Sequence, residues 1–158
     1  MTELVTPSER YRASFLAAEA EGEGRGVTDA TFPALLAKIA DHAAGRVPPG
    51  RVAETTLWLV DGDEYLGRIA LRHTLTPELA LVGGHVGYDV RPSRRRQGHA
   101  TRMLRLAMPH LAALGIDPAL ITCDEDNIGS RRVIEACGGQ LATDHVVPGA
   151  LRYWLRTR

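Results

Sequence analysis

The sequence predicts an α/β fold: a mixed, mainly antiparallel sheet with one parallel strand pair, flanked by helices. Three observations predict it. Apolar positions alternate with a period of two over Thr55–Val60, Tyr65–Leu75 and His85–Val90, with turn residues between the runs. From Ala100 the period becomes helical, with Ala100, Met103, Leu104, Ala107, Met108 and Leu111 on one face. The short apolar run Ala119–Cys123 then follows. A strand, a helix and a strand in that order imply a right-handed crossover between parallel neighbours.

Taken in order, residues 1–5 read as a brief edge strand. Ser8 is placed to cap a helix from Glu9 to about Ala20 with Tyr11, Phe15 and Leu16 buried. The glycine-rich segment from Glu21 to Gly26 breaks it. Thr28 or Asp29 caps a second helix carrying Phe32, Leu35, Leu36 and Ile39, which Gly45 stops. Two helices joined by such a loop commonly border a cleft. Val47-Pro48-Pro49-Gly50 is too stiff and too poor in donors for a regular element. Asp61-Gly62-Asp63 is a hairpin signal, Thr76-Pro77-Glu78 a turn and Gly83-Gly84 a lead into the third strand, so an antiparallel meander is expected. Pro109 predicts a kink in the central helix, which ends at Leu114-Gly115. Asp126 or Asn127 caps the next helix, with Val133, Ile134 and Cys137 facing inward and Gly138-Gly139 ending it. Gln140–Val147 and Leu151–Arg156 form a closing hairpin around Pro148-Gly149.

The chain of 158 residues is read as one domain spanning 1–158, with a formal net charge of zero. Neutrality argues against general nucleic-acid binding, which needs a basic surface. Cys123 and Cys137 have no metal or redox spacing, and the six histidines have no metal-ligand spacing. No secretory pattern opens the chain and no apolar run approaches the ~18 residues of a membrane span. A cytoplasmic protein without metal, nucleic-acid or membrane partners is expected.

Positive charge is concentrated between Arg91 and Arg105. Within that stretch, Arg95-Arg96-Gln97-Gly98-His99-Ala100 turns into a helix whose first N–H groups have no intrahelical partner. Gly98 and the small Ala100 let a bulky anion approach that backbone, so the turn is a candidate phosphate site. This motif resembles the Gln/Arg-x-x-Gly-x-Gly/Ala signature of the GNAT superfamily of acyl-CoA N-acyltransferases. Ile121-Thr122-Cys123-Asp124 followed by Asn127-Ile128-Gly129-Ser130 and Gly138 is similar to a second segment of that family, and the element order agrees over nearly the whole chain.

The resemblance implies an acetyl-CoA (coenzyme A) site and a GNAT-type sheet. The parallel strand pair is implied to be splayed, the pyrophosphate is expected on the backbone N–H groups between Arg96 and Thr101, and Arg95, Gln97, Gly98, His99 and Ala100 are among the implied cofactor-binding residues. The pantetheine arm should run along Tyr88–Val90, with Asn127 and Ser130 opposite. The implied activity is direct acetyl transfer, in a ternary complex, to an amine of a small molecule or peptide; a homodimer is compatible. A non-catalytic acyl-CoA-binding or sensor module is the alternative, because many relatives place an acidic tyrosine where Ile134 stands here. Tyr88 and His85 are the catalytic candidates, with Asp124 and Glu125 as further possibilities. Strand parity puts Gly84, Val86, Tyr88 and Val90 on one face and His85, Gly87 and Asp89 on the other. By analogy the first set is expected to face the acceptor. Trp58 and Trp154 read as core residues, either one also as a conceivable wall of the acceptor pocket, and Tyr153 has the same two readings.

Overall fold

The computed structural model describes residues 1–158. The strands are β1 (Thr2–Val5), β2 (Glu54–Asp61), β3 (Glu64–Arg72), β4 (Val86–Val90), β5 (Ala119–Asp124), β6 (Gln140–Leu141) and β7 (Ala150–Leu155). The helices are α1 (Arg12–Glu19), α2 (Phe32–Ala43), α3 (Pro77–Leu81), α4 (His99–Ala113) and α5 (Ile128–Ala136). Strands β1-β2-β3-β4 form one antiparallel sheet and β5-β7-β6 a second, so the architecture is mixed α/β with helices flanking antiparallel sheets.

The expected meander is present. Gly62 and Asp63 form a two-residue loop with Gly62 at φ 60°, and Asp61 faces Glu64 across it. The expected parallel ladder between β4 and β5 does not form. The two sheets meet only at an isolated bridge between Gly84 and Ile121, and that bridge is antiparallel because the chain turns at Gly83 and Gly84, both with positive φ.

Two smaller expectations are also corrected. Thr76-Pro77-Glu78 opens a short helix rather than a simple turn: the Thr76 hydroxyl accepts from the Leu79 N–H and the proline ring suits the first helical turn. The N-cap of α2 is Thr31, three residues later than expected, because Thr28 and Thr31 bond one another in a turn ahead of the helix. Helix α4 carries Pro109 inside its span and runs to Ala113.

Two cores result. The larger lies between the sheets and α4 and α5, with Leu59, Ile69, Leu71, Val86, Met103, Leu104, Leu111, Ile121 and Ile134 buried. The smaller covers the other face of β2 and β3 with α1 and α2. There Phe15 stacks on Trp58 with ring centroids 4.7 Å apart, and Tyr65 meets both edge-on. The glycine-rich link between α1 and α2 is held by charge: Glu21 accepts from Arg91 (2.7 Å) and from the Ser93 N–H (3.0 Å), and Glu23 pairs with Arg95. Burial alone would raise the Glu21 carboxyl, but the Ser93 and Arg91 donors hold it below its ordinary range.

Leu104 is fully buried, whereas Leu141 is 55% exposed on the short strand β6. Urea unfolding followed by circular dichroism should therefore show Leu104→Ala losing about 2–5 kcal/mol, and Leu141→Ala about 0.5 kcal/mol or less.

Candidate active site

The site begins where the two sheets join. The His85 N–H donates to Leu120 O at 2.7 Å, and the Leu120 N–H donates to His85 Nδ1 at 2.9 Å. Gly83 N–H donates to Thr122 Oγ1 at 2.8 Å. A Cβ on Gly84 would collide with the Leu120 carbonyl, so this close approach requires glycine. Beyond His85 the strands share no bond and part.

Along β4 the bonds to β3 fall at odd positions, from Arg72 N–H to His85 O and from Arg91 N–H to Leu66 O. Antiparallel alternation therefore turns the N–H and C=O of Tyr88 and Val90 away from β3, toward the gap. Arg95 Nε already donates to Val90 O at 2.9 Å, which leaves the Tyr88 backbone as the open edge.

A cleft of about 660 Å³ occupies the gap between β4, α4 and α5. Gly98, at φ 83°, is the N-cap of α4, and Arg96 is the chain's single non-glycine residue with positive φ, at 62°. A Cβ on Gly98 would touch no protein atom, so it is the left-handed backbone conformation that favours glycine there. The N–H groups from Arg96 to Thr101 find no acceptor in the chain; the first bond of α4 is Arg102 N–H to Gly98 O. Arg96, Gly98, His99, Ala100 and Thr101 line the cleft, as do Val90 and Arg95; Gln97 does not.

The arginines divide sharply. Arg91 is bound to Glu21, Arg94 to Glu64 and Arg95 to Glu23. Arg96 and Arg132, both at the cleft, have no carboxylate partner. Sequence reasoning missed Arg132; its signal was a cation five residues beyond Asn127, on the helix that starts at the same gap.

Across the cleft Asn127 caps α5, its Oδ1 accepting from the Ser130 N–H at 3.1 Å. The Tyr88 hydroxyl donates to Ser130 Oγ at 3.1 Å. Burial pushes the Tyr88 phenol above its ordinary range, against the pull of the Ser130 contact. Ile134 is fully buried in the larger core.

The structure separates the two catalytic candidates. Tyr88 lines the cleft, but His85 sits at the closed junction, its Nδ1 occupied by Leu120. Burial, then the nearby charge of Arg72, lowers its pKa and keeps that acceptor nitrogen unprotonated near neutrality. Asp124 and Glu125 are exposed and line none of the cavities described here.

The two faces of β4 meet different surroundings. Val86 and Val90 pack with α4 in the larger core, while Asp89 points toward α1 and α2. Arg25 and Arg68 both donate to Asp89 Oδ2, at 3.1 and 3.0 Å, leaving Oδ1 without a partner. Asp89 lines the cleft and also a second cavity of about 130 Å³ on the opposite face, which adjoins a third of about 220 Å³ through Phe15, Glu19 and Arg25. The gap between the sheets thus opens toward both sides of the molecule.

A family model described as an acetyltransferase (GNAT) domain matches residues 17–140. The chain belongs to the GNAT acetyltransferase family. No curated protein matches its sequence. Among solved structures, a microcin self-immunity acetyltransferase, MccE, in complex with acetyl-CoA and AMP, superposes with a TM-score of 0.69 at 13% identity, covering 98% of this chain and 92% of that one. RimJ of Mycobacterium smegmatis, in complex with CoA-disulfide, gives 0.68 at 18% identity over 98% and 81%. An acetyltransferase from Salmonella typhimurium that modifies the N-terminal serine of a 50S ribosomal subunit protein gives 0.64 at 17% identity over 97% and 92%. In this GNAT chain no cluster of His, Cys, Asp and Glu is arranged to hold a metal ion, and no helix is long and apolar enough to cross a membrane.

The orphan amides and the two unpaired guanidiniums fit a diphosphate. Isothermal titration with coenzyme A should show Gly98→Val weakening binding by about tenfold or more, roughly 1.4 kcal/mol. Arg94→Gln, whose side chain is already committed to Glu64, should change it by no more than about twofold.

Proposed function

We propose that this GNAT acetyltransferase is an N-acetyltransferase that moves an acetyl group directly from acetyl-CoA to an amine of a small molecule or peptide. The observation that carries the reading is the cleft edge itself: unsatisfied amides from Arg96 to Thr101 beside Arg96 and Arg132 at one end, Tyr88 and Asp89 at the other. The first group suits the diphosphate of the donor, because helix N-terminal amides and guanidiniums both favour oxyanions. Arg95, Gln97, Asn127, Ser130 and Val90 complete the donor side of this reading.

The chemistry needs a neutral amine, a polarised thioester carbonyl and a proton for the departing sulfur. The amine loses its first proton to solvent. Asp89 Oδ1, free on the far side of β4, then accepts one N–H bond of the neutral amine and orients its lone pair. The outward-facing Tyr88 N–H is the donor for the thioester oxygen. As the nitrogen–carbon bond forms and the carbon–sulfur bond breaks, the Tyr88 hydroxyl protonates the sulfur. The proton left on nitrogen returns through solvent to Tyr88, where Ser130 is its first neighbour. The sum is amine plus acetyl-CoA giving amide plus free coenzyme A.

Ile134, the feature that favoured a non-catalytic binding module, loses its force in this arrangement, since Tyr88 on β4 puts a phenol on the cleft while Ile134 packs in the larger core. His85 has no part in the reaction as written.

Free-thiol release from acetyl-CoA with a panel of amines tests the proposal. Turnover above the uncatalysed background is expected, and thermal stabilisation by coenzyme A without any thiol release would leave only the binding module. Tyr88→Phe should lower kcat by about 10²-fold while leaving the Kd for coenzyme A within about twofold. Because burial raises the Tyr88 phenol, its protonated form persists through the working range. The rate should climb with pH toward the pKa of the acceptor amine, near ~10 for an alkylamine, with no descending alkaline limb before it.

A further inference from the structure

We propose that the cavity between α1, α2 and the β2–β3 hairpin is the acceptor subsite, and that it selects a small amine carrying a second, oxyanionic group, a carboxylate or a phosphate. The inference rests on the transferase reading above and adds the substrate class.

The cavity of about 220 Å³ continues into the smaller one on which Asp89 opens, so a molecule held in it can present its amine to the cleft. Its two ends differ in chemistry. Near β4, Arg25 and Arg68 hold Asp89 by one oxygen and leave Oδ1 to accept from an amine. Farther along the hairpin, where Glu54 faces Arg72, Lys38 and Arg51 line the cavity with no carboxylate partner. Lys38 is the single lysine of the chain.

The two acidic residues in the lining are already engaged: Glu19 accepts from the Val27 N–H at 3.2 Å, and Glu54 lies 3.8 Å from Arg72. The lining is therefore net cationic where its charges are free. Phe15 and Trp58, stacked face to face, wall the cavity between these ends and exclude water from one side, which strengthens a charge–charge contact there. A neutral amine would leave both free cations unanswered, and the volume suits a small molecule rather than a folded surface.

Matched amine pairs that differ only in charge test this: β-alanine against its amide, and O-phosphoethanolamine against ethanolamine, each assayed by thiol release from acetyl-CoA. At least one anionic member should exceed its neutral partner in kcat/KM by roughly tenfold; the two pairs tell carboxylate from phosphate. In Lys38→Gln/Arg51→Gln that ratio should fall toward one, with circular dichroism and coenzyme A affinity reporting that fold and donor site are intact.

A ratio near or below one for both pairs in the unaltered protein overturns the inference, as does a ratio that survives the double substitution. Faster turnover of a neutral-sequence peptide N-terminus than of either anionic amine also overturns it. Thiol release that is blind to charge removes this inference alone; no release from any amine, with coenzyme A still bound, removes the transferase reading with it.

Discussion

The site depends on one junction, the contact of Gly84 and His85 with Leu120 and Ile121. Because Gly84 has no Cβ, its backbone comes close enough to Leu120 for the His85 N–H to bond it, and the imidazole closes the return bond from the Leu120 N–H. That staple fixes the two sheets at one end. With no ladder beyond it, β4 and β5 diverge, and the outward backbone of Tyr88 faces a gap instead of a neighbouring strand. An open sheet edge inside a protein is costly unless something bonds it. Here it borders a cleft formed by the N-terminal ends of α4 and α5, which are themselves rich in unsatisfied donors. The same geometric choice thus creates the binding edge and sets helix dipoles against it.

Electrostatics then sorts a run of arginines that looks uniform in sequence. Arg91, Arg94 and Arg95 are each committed to a carboxylate, from Glu21, Glu64 and Glu23. Two of those carboxylates belong to the glycine-rich link between α1 and α2, so the charge that brackets the candidate phosphate turn also ties down the segment over the opposite face. The exposed pairs among them are individually weak; their importance lies in which cations they remove from the cleft. Arg96, raised by its positive φ, and Arg132, on α5, are what remains.

Much of this was legible in the sequence because it depends on local rules. The helix start at Gly98, the Asn127 cap, the Asp61-Gly62-Asp63 hairpin and the antiparallel meander each follow from a few neighbouring residues. What was not legible depends on tertiary placement. The crossover rule assumes that successive strands pair, and Gly83-Gly84 turns the chain so that only one bridge forms. Strand parity separated Asp89 from Tyr88, but which face meets α4 is decided by Val86 and Val90 joining the larger core. Arg132 was hidden because its meaning comes from the gap that α5 borders, not from its neighbours in the chain. Helix α3 was missed because Thr76-Pro77-Glu78 is equally a turn signal and a helix N-terminus.

The position proposed for the acid shows how the same cleft can be served from different walls. A side chain on α5 at Ile134 points into the larger core, where it packs between the sheet and Gly139 and has no route to water. Placing a phenol there would bury a hydroxyl without a partner unless the helix turned on its axis, and at its C-terminal end Cys137 Sγ donates to Thr101 O of α4. Strand β4 has no such conflict. Its alternate residues already face the gap, and the first turn of α5 supplies the Ser130 hydroxyl as the partner a half-buried phenol needs. The proposed reaction requires an O–H at the end of the gap with a hydrogen-bond neighbour, and Tyr88 offers one from β4.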